Sequence, residues 1–596
     1  MQRAESDAAP IFWPDEGPPR SRLYGDLYYS RDDGLAEART VFLAGCGLPQ
    51  AWAGRRRFCV AELGFGTGLN IAALLELWAR DHAPRARLSI FSVEAHPVAA
   101  TDAARALAAW PDLAPLAEAL TARWPPRARG FHRIDLPEFD ASLDLAVMEA
   151  APALQAWSGA ADAWFLDGFA PAANPEMWRK EVLDRVAGRS GPGARLATYT
   201  VAGAVRRDLA EAGFAVERRP GFGRKRERLE AHWPGRRPQP AGEPTVAVIG
   251  AGIAGASLAR ALRDLGVGAR VFAPAGRPQG PRVALVSPRL DAGLGAQAAL
   301  FAQACARARD VYLADAGCVI ARGALQLAVG AKDAGRFAAI AGSDLFDAGQ
   351  MRLLDAPQAS AALGEAVPPG LLVEGALVID PGPVIEAWLG EVTAARITAV
   401  EHDGEAWRLL DQRGAAIASA DVVCIAAGMA SADLADGLPL TPVRGQASLA
   451  RGVRWPQAAV FGAYAIPARD GVVFGATHDR GERDAAPRDA DHRRNLAALA
   501  AVLPELATRL EGRSLEACAG VRATTADYLP IAGPVPGVAA GLFALTGLGS
   551  RGFTLAPLLA EHIAANAVGA PSPLPRDLAA LADPARFAER ARRRGR

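Results

Sequence analysis

The sequence is poor in cysteine, in lysine and in long apolar runs. Its 596 residues include six cysteines that are scattered without a CxxC pair, so their spacing predicts neither a metal site nor a disulfide framework. No uncharged apolar stretch reaches the length of a membrane span, and the first ten residues, MQRAESDAAP, lack the basic and apolar regions of a signal peptide. We therefore expect a cytoplasmic protein with reduced thiols, no membrane contact and no metal.

The sequence also has no excess of positive or negative residues. Sixty-six lysines and arginines balance 65 aspartates and glutamates, so the net charge is +1 and gives no general attraction to nucleic acid or membranes. Any such affinity must come from a local patch. The hydrophobic content of 51% and the charged content of 22% are typical of a folded globular chain, and the length implies at least two domains.

The clearest domain boundary lies at residues 233–244, WPGRRPQPAGEP. Four prolines and two glycines in this segment cannot continue a helix or a central strand. The segment predicts four regions: a first domain over 1–235, a linker over 236–244, a second domain over 245–575 and a basic tail over 576–596.

Both domains are predicted to be α/β. In the first, apolar runs that predict strands (58–63, 88–93, 163–166, 196–200) alternate with helical stretches (69–79, 175–187), which favours a parallel sheet with helices on both faces. The second opens with a strand–helix–strand unit (245–249, 254–265, 269–272). Its late strands at 422–426 and 542–546 predict a Rossmann-type nucleotide fold that an α+β substrate domain interrupts.

The first glycine-rich turn is ELGFGTGLN at 62–70. Alternating glycines let the backbone approach a ligand, and Glu94 ends the next strand, where an acid holds ribose hydroxyls in βαβ folds. This pattern resembles the S-adenosylmethionine site of class I Rossmann-like methyltransferases. The residues predicted to bind the cofactor are Glu62, Gly64, Gly66, Gly68, Asn70, Glu94 and, on the adenine side, Glu149.

A candidate substrate corner, Asp167-Gly-Phe169-Ala-Pro, follows the predicted strand at 163–166. The carboxyl end of that strand opens onto the methyl donor. A carboxylate there can orient an amine and accept its proton, and Phe169 can stack on a base. The alternative is a capped turn with a core aromatic.

A basic loop lies near the end of the first domain, at 218–228, RRPGFGRKRER. Six basic residues surround a phenylalanine between two glycines, a combination that suits phosphates and an unpaired base. It predicts RNA contacts through Arg224, Lys225 and Arg226, whereas a merely solvated surface is the alternative.

The second glycine-rich turn is VIGAGIAG at 248–255. Its three glycines have the spacing of a dinucleotide-binding loop, in which the pyrophosphate binds at the N-terminus of the following helix. Another such turn, GLGSRG at 547–552, follows a strand about 300 residues later, which is typical of FAD enzymes with an inserted substrate domain. The residues predicted to bind FAD are Gly250, Gly252, Gly255, Gly547, Gly549, Ser550 and Gly552.

Two arginines stand near the later turn. Arg522 can clamp a carboxylate with two parallel hydrogen bonds, and Arg551 can do the same or sit over the isoalloxazine ring. A surface ion pair is the commoner fate of an arginine. The arrangement resembles glycine and D-amino-acid oxidases, in which Arg522 would align with the carboxylate-binding arginine.

With both halves in view, the chain resembles the bifunctional tRNA 5-methylaminomethyl-2-thiouridine biosynthesis proteins of bacteria. The matching segments are DLYYS (26–30), ELGFGTGLN (62–70), WFLDGFAP (164–171), GFGRKRE (221–227), RGQ (444–446), GVRAT (520–524) and LGSRG (548–552). The resemblance implies that an FAD-dependent half removes the carboxymethyl group from a carboxymethylaminomethyl wobble uridine. A methyltransferase half then methylates the exposed amine. It further implies catalytic roles for Asp167, Arg522 and Arg551 and tRNA as the partner; we expect a monomer.

Two other interpretations stay open at this level. One is a fusion of a small-molecule amino-acid oxidase with a methyltransferase. The basic loop disfavours this interpretation, because an enzyme with a small substrate does not need an RNA-binding loop. The other is a tRNA methyltransferase with a degenerate oxidase scaffold. It is motivated by Ala273, which stands where a ribose-binding acid is expected, and by the altered segment at 280–284, GPRVA.

Overall fold

The computed structural model describes residues 10–236, 242–276, 280–315 and 317–594, and it divides into two compact units. The first comprises Met1–Gly242 with Ala570–Arg576, and the second comprises Glu243–Gly569 with Asp577–Arg596. Most of the predicted linker, residues 237–241, lies outside the described residues. Within the described ranges no helix is long and apolar enough to cross a membrane, and no cluster of three His, Cys, Asp or Glu side chains is arranged to hold a metal ion.

The first unit is built on an eight-stranded sheet with the order β5-β6-β4-β3-β7-β8-β10-β9. Its strands are β3 (Arg57–Leu63), β4 (Arg87–Val93), β5 (Gly130–Leu136), β6 (Ala141–Val147), β7 (Ala161–Leu166), β8 (Ser190–Thr198), β9 (Ala215–Pro220) and β10 (Glu227–His232); β1 (Ile11–Phe12) pairs with β2 (Arg20–Ser21). The helices are Gly34–Glu37, Leu69–Asp81, Ala100–Leu107, Ala114–Ala122, Ala150–Ala156, Lys180–Gly188 and Gly203–Glu211.

The central strands of this sheet are parallel and almost fully buried. In β3, six of seven residues are buried, because helices cover both faces of the sheet. One core contains Phe58 and Trp78, and the other contains Trp157 and Trp164. The strands predicted at 58–63, 88–93 and 163–166 are confirmed to within two residues.

The helix predicted over 175–187 is wrong at its start. Pro175–Trp178 forms a 3-10 turn, Arg179 is extended with ψ 146°, and the α-helix runs over Lys180–Gly188. The Trp178 indole donates a hydrogen bond to the Phe169 carbonyl (2.8 Å). This contact holds the turn against the substrate corner, and the extended Arg179 separates the turn from the helix.

The second unit contains a six-stranded sheet with the order β17-β12-β11-β21-β29-β28. Its strands are β11 (Val246–Ile249), β12 (Ala269–Ala273), β17 (Val392–Ala394), β21 (Val422–Ile425), β28 (Ile531–Pro534) and β29 (Leu542–Thr546). All pairs are parallel except β28 with β29. The predicted interruption is confirmed, since strands from both ends of the unit share one sheet.

The interrupting segments form a ten-stranded sheet and a small three-stranded one. The larger has β13 (Ala284–Val286), β14 (Val319–Leu327), β15 (Met351–Leu354), β16 (Gly370–Ile379), β22 (Thr441–Arg451), β23 (Ala458–Val460), β24 (Tyr464–Ala468), β25 (Gly471–Gly475), β26 (Asp479–Arg480) and β27 (Glu516–Thr524). The smaller has β18 (Ala399–His402), β19 (Trp407–Leu410) and β20 (Ala416–Ala420). The longer helices of the unit are Ile253–Asp264, Ala296–Ala314, Asp333–Ala341, Ala356–Leu363, Pro381–Leu389, Asp489–Ala500, Pro504–Leu510 and Gly552–Val568.

The segment predicted as a basic tail is helical over its described part. It forms the helices Arg576–Ala582 and Ala585–Arg594. Arg586 is only 7% exposed, and its Nε donates to the Asp527 carboxylate (3.0 Å). Composition alone did not indicate this contact, because a buried arginine and a solvated one look the same in a sequence.

Candidate active sites

The first glycine-rich turn joins β3 to the helix Leu69–Asp81. Gly64, Gly66 and Gly68 have φ values of 95°, 52° and 77°, which L side chains adopt only with strain. A Cβ on Gly64 would lie 2.4 Å from the Asp167 carbonyl oxygen. The glycines therefore let this turn approach the end of β7 closely, as a ligand-binding turn at the sheet edge requires.

Four carboxylates stand at the ends of four adjacent parallel strands. In spatial order Glu149 follows β6, Glu94 follows β4, Glu62 ends β3 and Asp167 follows β7. Ligands of open α/β sheets bind at this edge. A cavity of about 380 Å³ runs along it, and Glu94, Glu149 and Asp167 are among its lining residues. The structure thus brings together the acids that the sequence predicted separately.

Asn70 links two of these acids. Its side-chain amide donates to Glu62 Oε1 (3.1 Å) and to Asp167 Oδ2 (2.7 Å), while the Ser92 hydroxyl donates to Glu62 Oε2 (2.6 Å). Glu62 is 1% exposed, and burial raises its pKa to about 8. Burial also raises the pKa of Asp167 to about 7. A carboxyl group whose pKa is raised in this way is a candidate proton acceptor.

Glu94 and Glu149 differ in their surroundings. The Glu94 carboxylate accepts hydrogen bonds from the backbone amides of Gly66 (3.0 Å) and His96 (2.9 Å), and burial raises its pKa. It is therefore fixed against the glycine-rich turn. Glu149 is exposed, precedes the helix Ala150–Ala156 and lines the cavity.

An aromatic wall completes the cavity, and sequence reasoning missed most of it. Phe169 packs against Tyr24 and Tyr28, with ring centroids 5.1 and 5.3 Å away, and the Tyr199 hydroxyl donates to the Gly168 carbonyl (2.7 Å). The Ala170 amide donates to Asp26 (2.9 Å), which ties the N-terminal segment to the substrate corner. The available signal was the family segment DLYYS at 26–30, which contains Asp26 and Tyr28, whereas Tyr24 and Tyr199 lie outside it.

The basic loop spans the end of β9, the connection at 221–226 and the start of β10, and its three predicted RNA-binding residues lie in the connection. Lys225 Nζ donates to Glu37 Oε1 (2.9 Å) and lies 3.9 Å from the centre of the Tyr199 ring, so Lys225 belongs to the cavity wall. The Arg224 side chain is 89% exposed, and Arg226 is exposed as well. Arg224 also lines the cavity and lies 3.7 Å from Asp32 Oδ1, so it stands at the cavity rim, and the exposed surfaces of both arginines are accessible to phosphates.

In the second unit, the turn after β11 has three glycines with distinct environments. A Cβ on Gly250 would lie 2.3 Å from the Ala426 carbonyl oxygen, and one on Gly255 would lie 1.8 Å from the Gly250 carbonyl oxygen. A Cβ on Gly252, which precedes the helix Ile253–Asp264, would meet no atom within 4 Å. The first and third glycines thus permit close packing, and the second leaves the helix N-terminus open, which fits the pyrophosphate of FAD.

The later turn meets the first one in space. Gly547 and Gly549 have φ values of 66° and 56°, and Ser550 is exposed. A Cβ on Gly552 would lie 3.6 Å from the Ile253 side chain. Turns that are about 300 residues apart in sequence therefore place two helix N-termini side by side.

Arg551 binds the protein itself. Its Nη1 donates to the Ser287 carbonyl (3.0 Å) and hydroxyl (2.8 Å), and the Ser287 amide donates to the Thr554 hydroxyl (3.2 Å). Burial lowers the pKa of Arg551. These contacts tie the end of β13 to the start of the helix Gly552–Val568, so they favour a positioning role over the predicted catalytic one.

Arg522 has no such engagement. It lies on β27 opposite Val443 of β22, and its guanidinium covers Gly445, where a Cβ would lie 2.2 Å from Nη1. Among the described residues no carboxylate lies within ion-pair distance of it. A half-buried guanidinium without a carboxylate partner among the described residues is suited to bind a substrate carboxylate.

Comparisons with known proteins agree with this division. The family profile described as S-adenosyl-L-methionine-dependent methyltransferase matches residues 111–234, and the one described as FAD dependent oxidoreductase matches residues 245–566. The chain is 56% identical over 594 residues to a protein of Caulobacter sp. (strain K31), covering 98% of this chain and 99% of that one. It is 57% identical over 581 residues to one of Caulobacter vibrioides, covering 97% and 98%.

Both relatives are named tRNA 5-methylaminomethyl-2-thiouridine biosynthesis bifunctional protein MnmC. Among solved structures, glycine oxidase from Geobacillus kaustophilus is 20% identical with a TM-score of 0.48, covering 55% of this chain and 96% of that chain.

Proposed function

Because the chain belongs to the family of bifunctional tRNA 5-methylaminomethyl-2-thiouridine biosynthesis proteins, we propose that it modifies the wobble uridine of tRNA in two consecutive steps. The oxidoreductase unit removes the carboxymethyl group from 5-carboxymethylaminomethyl-(2-thio)uridine, and the methyltransferase unit methylates the amine that this exposes. The observation that carries this proposal is the pairing of the two sites in one chain. One is suited to an N-substituted glycine group, and the other is suited to the amine produced from it.

In the oxidation, FAD would supply the hydride acceptor for the carbon between the amine and the carboxylate, and hydrolysis of the oxidised group would release glyoxylate and leave the aminomethyl base. The unpaired Arg522 fork supports a role in binding the substrate carboxylate. This contact would orient the carbon that is oxidised. Arg551 would act indirectly, by holding Ser287 at the end of β13.

In the methylation, bound S-adenosylmethionine supplies an electrophilic methyl group. Glu94 and Glu149 would hold its ribose and adenine side. Asp167 would accept the proton that the amine loses, and Asn70 orients the Asp167 carboxylate. The aromatic wall around Phe169 would exclude water and stack on the uracil ring.

The geometry of the second unit disfavours the alternative in which the oxidase half is a degenerate scaffold. Gly250, Gly252 and Gly255 keep the packing and the open helix N-terminus that a dinucleotide requires, although Ala273 offers no carboxylate. The small-molecule fusion is disfavoured by the exposed arginines of the basic loop and by full-length similarity to tRNA-modifying proteins. A monomeric state and a cytoplasmic location remain predictions, which light scattering and cell fractionation would test.

Nucleoside analysis of tRNA tests the proposal with a matched pair of variants. A strain that lacks this chain should accumulate carboxymethylaminomethyl uridines. Complementation with Arg522→Ala should leave that intermediate, whereas Asp167→Asn should convert it only to the aminomethyl form. If neither intermediate accumulates in the deletion strain, the proposed function is wrong.

A further inference from the structure

Tyr528 is presented to solvent in an unusual way. The residue is 49% exposed and has φ +57°, in the left-handed region that L side chains rarely adopt. Glycine would relieve the backbone strain and remove the exposed ring. Neither folding of this turn nor the chemistry described above accounts for a tyrosine at this position.

The turn that carries Tyr528 is held on both sides. Asp527 accepts a hydrogen bond from the Leu529 amide (3.2 Å) and one from Arg586 Nε (3.0 Å), and Arg586 Nη2 donates to the Leu529 carbonyl (3.0 Å). Arg586 comes from the helix Ala585–Arg594, about 60 positions later in the chain. The ring of Tyr528 therefore projects from a fixed backbone.

Arg480 adds a positive charge to this ring. Its guanidinium carbon lies 5.0 Å from the ring centroid, within cation–π distance. Arg480 on β26 and Arg522 on β27 both pair with Val443 of β22, one from each side. Because directly paired residues share a face, both arginines lie on one face, with their Cα atoms roughly 10 Å apart.

The surroundings are positively charged in sum. Asp479 is bound by Arg494 (2.9 Å), and Asp527 is bound by Arg586, so both nearby acids are neutralised. The exposed His478 lies near both arginines. Its pKa is lowered mainly by burial, and then by the positive charges of Arg522 and Arg480. A surface with an aromatic ring, a guanidinium on it and acids that are already paired suits single-stranded nucleic acid.

We propose that Tyr528 and Arg480, together the Tyr528 platform, stack on an unpaired nucleotide of the tRNA anticodon loop beside the wobble base. This proposal rests on the proposed function, because it takes Arg522 as the site of the wobble base's carboxylate. Stacking on an aromatic ring tolerates any base, so the platform would hold the loop without selecting its sequence. The strained turn would then serve to present the ring at the entrance of the oxidase site.

Flavin reduction by two substrates tests the platform. One substrate is tRNA that carries carboxymethylaminomethyl uridine, and the other is the free modified nucleoside, which cannot reach the platform and Arg522 together. Tyr528→Ala should raise the tRNA concentration for half-maximal reduction about tenfold and leave the nucleoside reaction unchanged. Tyr528→Phe should behave as wild type. Val538→Ala, at a similarly exposed apolar position (47%) in the same unit, should have no effect.

Tyr528→Gly separates binding from folding. Because glycine favours φ +57°, this variant should melt at or above the wild-type temperature and still lose tRNA affinity. A large fall in melting temperature would make Tyr528 a structural residue and overturn the proposal, as would equal losses with tRNA and nucleoside. If wild-type flavin is reduced by tRNA but Tyr528→Ala is unaffected, only the platform is refuted. If tRNA does not reduce the wild-type flavin, the proposed function itself fails.

Discussion

Gly445 offers a direct test of the oxidase site, because it forms the surface on which Arg522 lies. A Cβ at this position would lie 2.2 Å from Arg522 Nη1 and 2.7 Å from Cζ, whereas real Cβ atoms essentially never come within 3.0 Å of another heavy atom. The backbone of Gly445 accepts alanine, since its φ lies outside the left-handed region. Gly445→Ala therefore leaves the strand intact and displaces the guanidinium by roughly 1 Å.

The size of the effect follows from this displacement. A shift of about 1 Å in a group that positions the substrate can cost roughly 100-fold in rate. We therefore expect Gly445→Ala to lower kcat/KM for oxidation about 100-fold. Arg522→Ala should lower it at least as much, because the substrate carboxylate then loses the whole guanidinium and not only its correct position.

The assay is single-turnover flavin reduction by carboxymethylaminomethyl-tRNA, with rates expressed per bound flavin so that loss of FAD is not counted. Gly335→Ala is the matched control, since the same methyl group enters open space on an exposed helix. In the Arg522→Ala background, Gly445→Ala should cause no further loss, because its effect acts through Arg522. A wild-type kcat/KM in Gly445→Ala, or an undiminished effect in that background, would refute the reasoning.

Four further predictions concern both units. The rate of methylation of aminomethyl-tRNA should rise with pH through about 7 and then level, because burial raises the pKa of Asp167 to about 7 and only the ionised form accepts a proton. A pH–rate profile measures this, and Asp167→Asn should lower the rate at least about 100-fold. Arg224→Ala with Arg226→Ala should weaken tRNA binding and reduce its salt slope by about one to two in filter binding, and an unchanged slope would exclude phosphate contacts. Gly250→Ala should lose FAD, seen as flavin absorbance per protein, since its Cβ would lie 2.3 Å from a carbonyl oxygen. Glu561→Gln should destabilise the second unit by roughly 3–5 kcal/mol in thermal unfolding, because two buried arginines bind this carboxylate; a change near zero would contradict that role.

The parts of the fold that were predictable from sequence are those set by local patterns. Short apolar runs mark β3, β4 and β7 because both faces of a parallel sheet are buried. Glycines with positive φ mark the turns, since other residues are strained there. The prediction failed at Arg179, which is extended and ends the turn that the Trp178 indole holds against the Phe169 carbonyl, because periodicity alone does not register such a contact.

By itself, the sequence determined that there are two cofactor turns, which acids follow which strands, and the family to which these motifs belong. Each depends on residues close together in the chain. Only the tertiary structure decided which partner each charged side chain has. Lys225 pairs with Glu37, 188 residues away, while Arg522 has no carboxylate partner among the described residues. Local sequence does not encode such pairs, because two distant segments must pack together before either charge meets its partner.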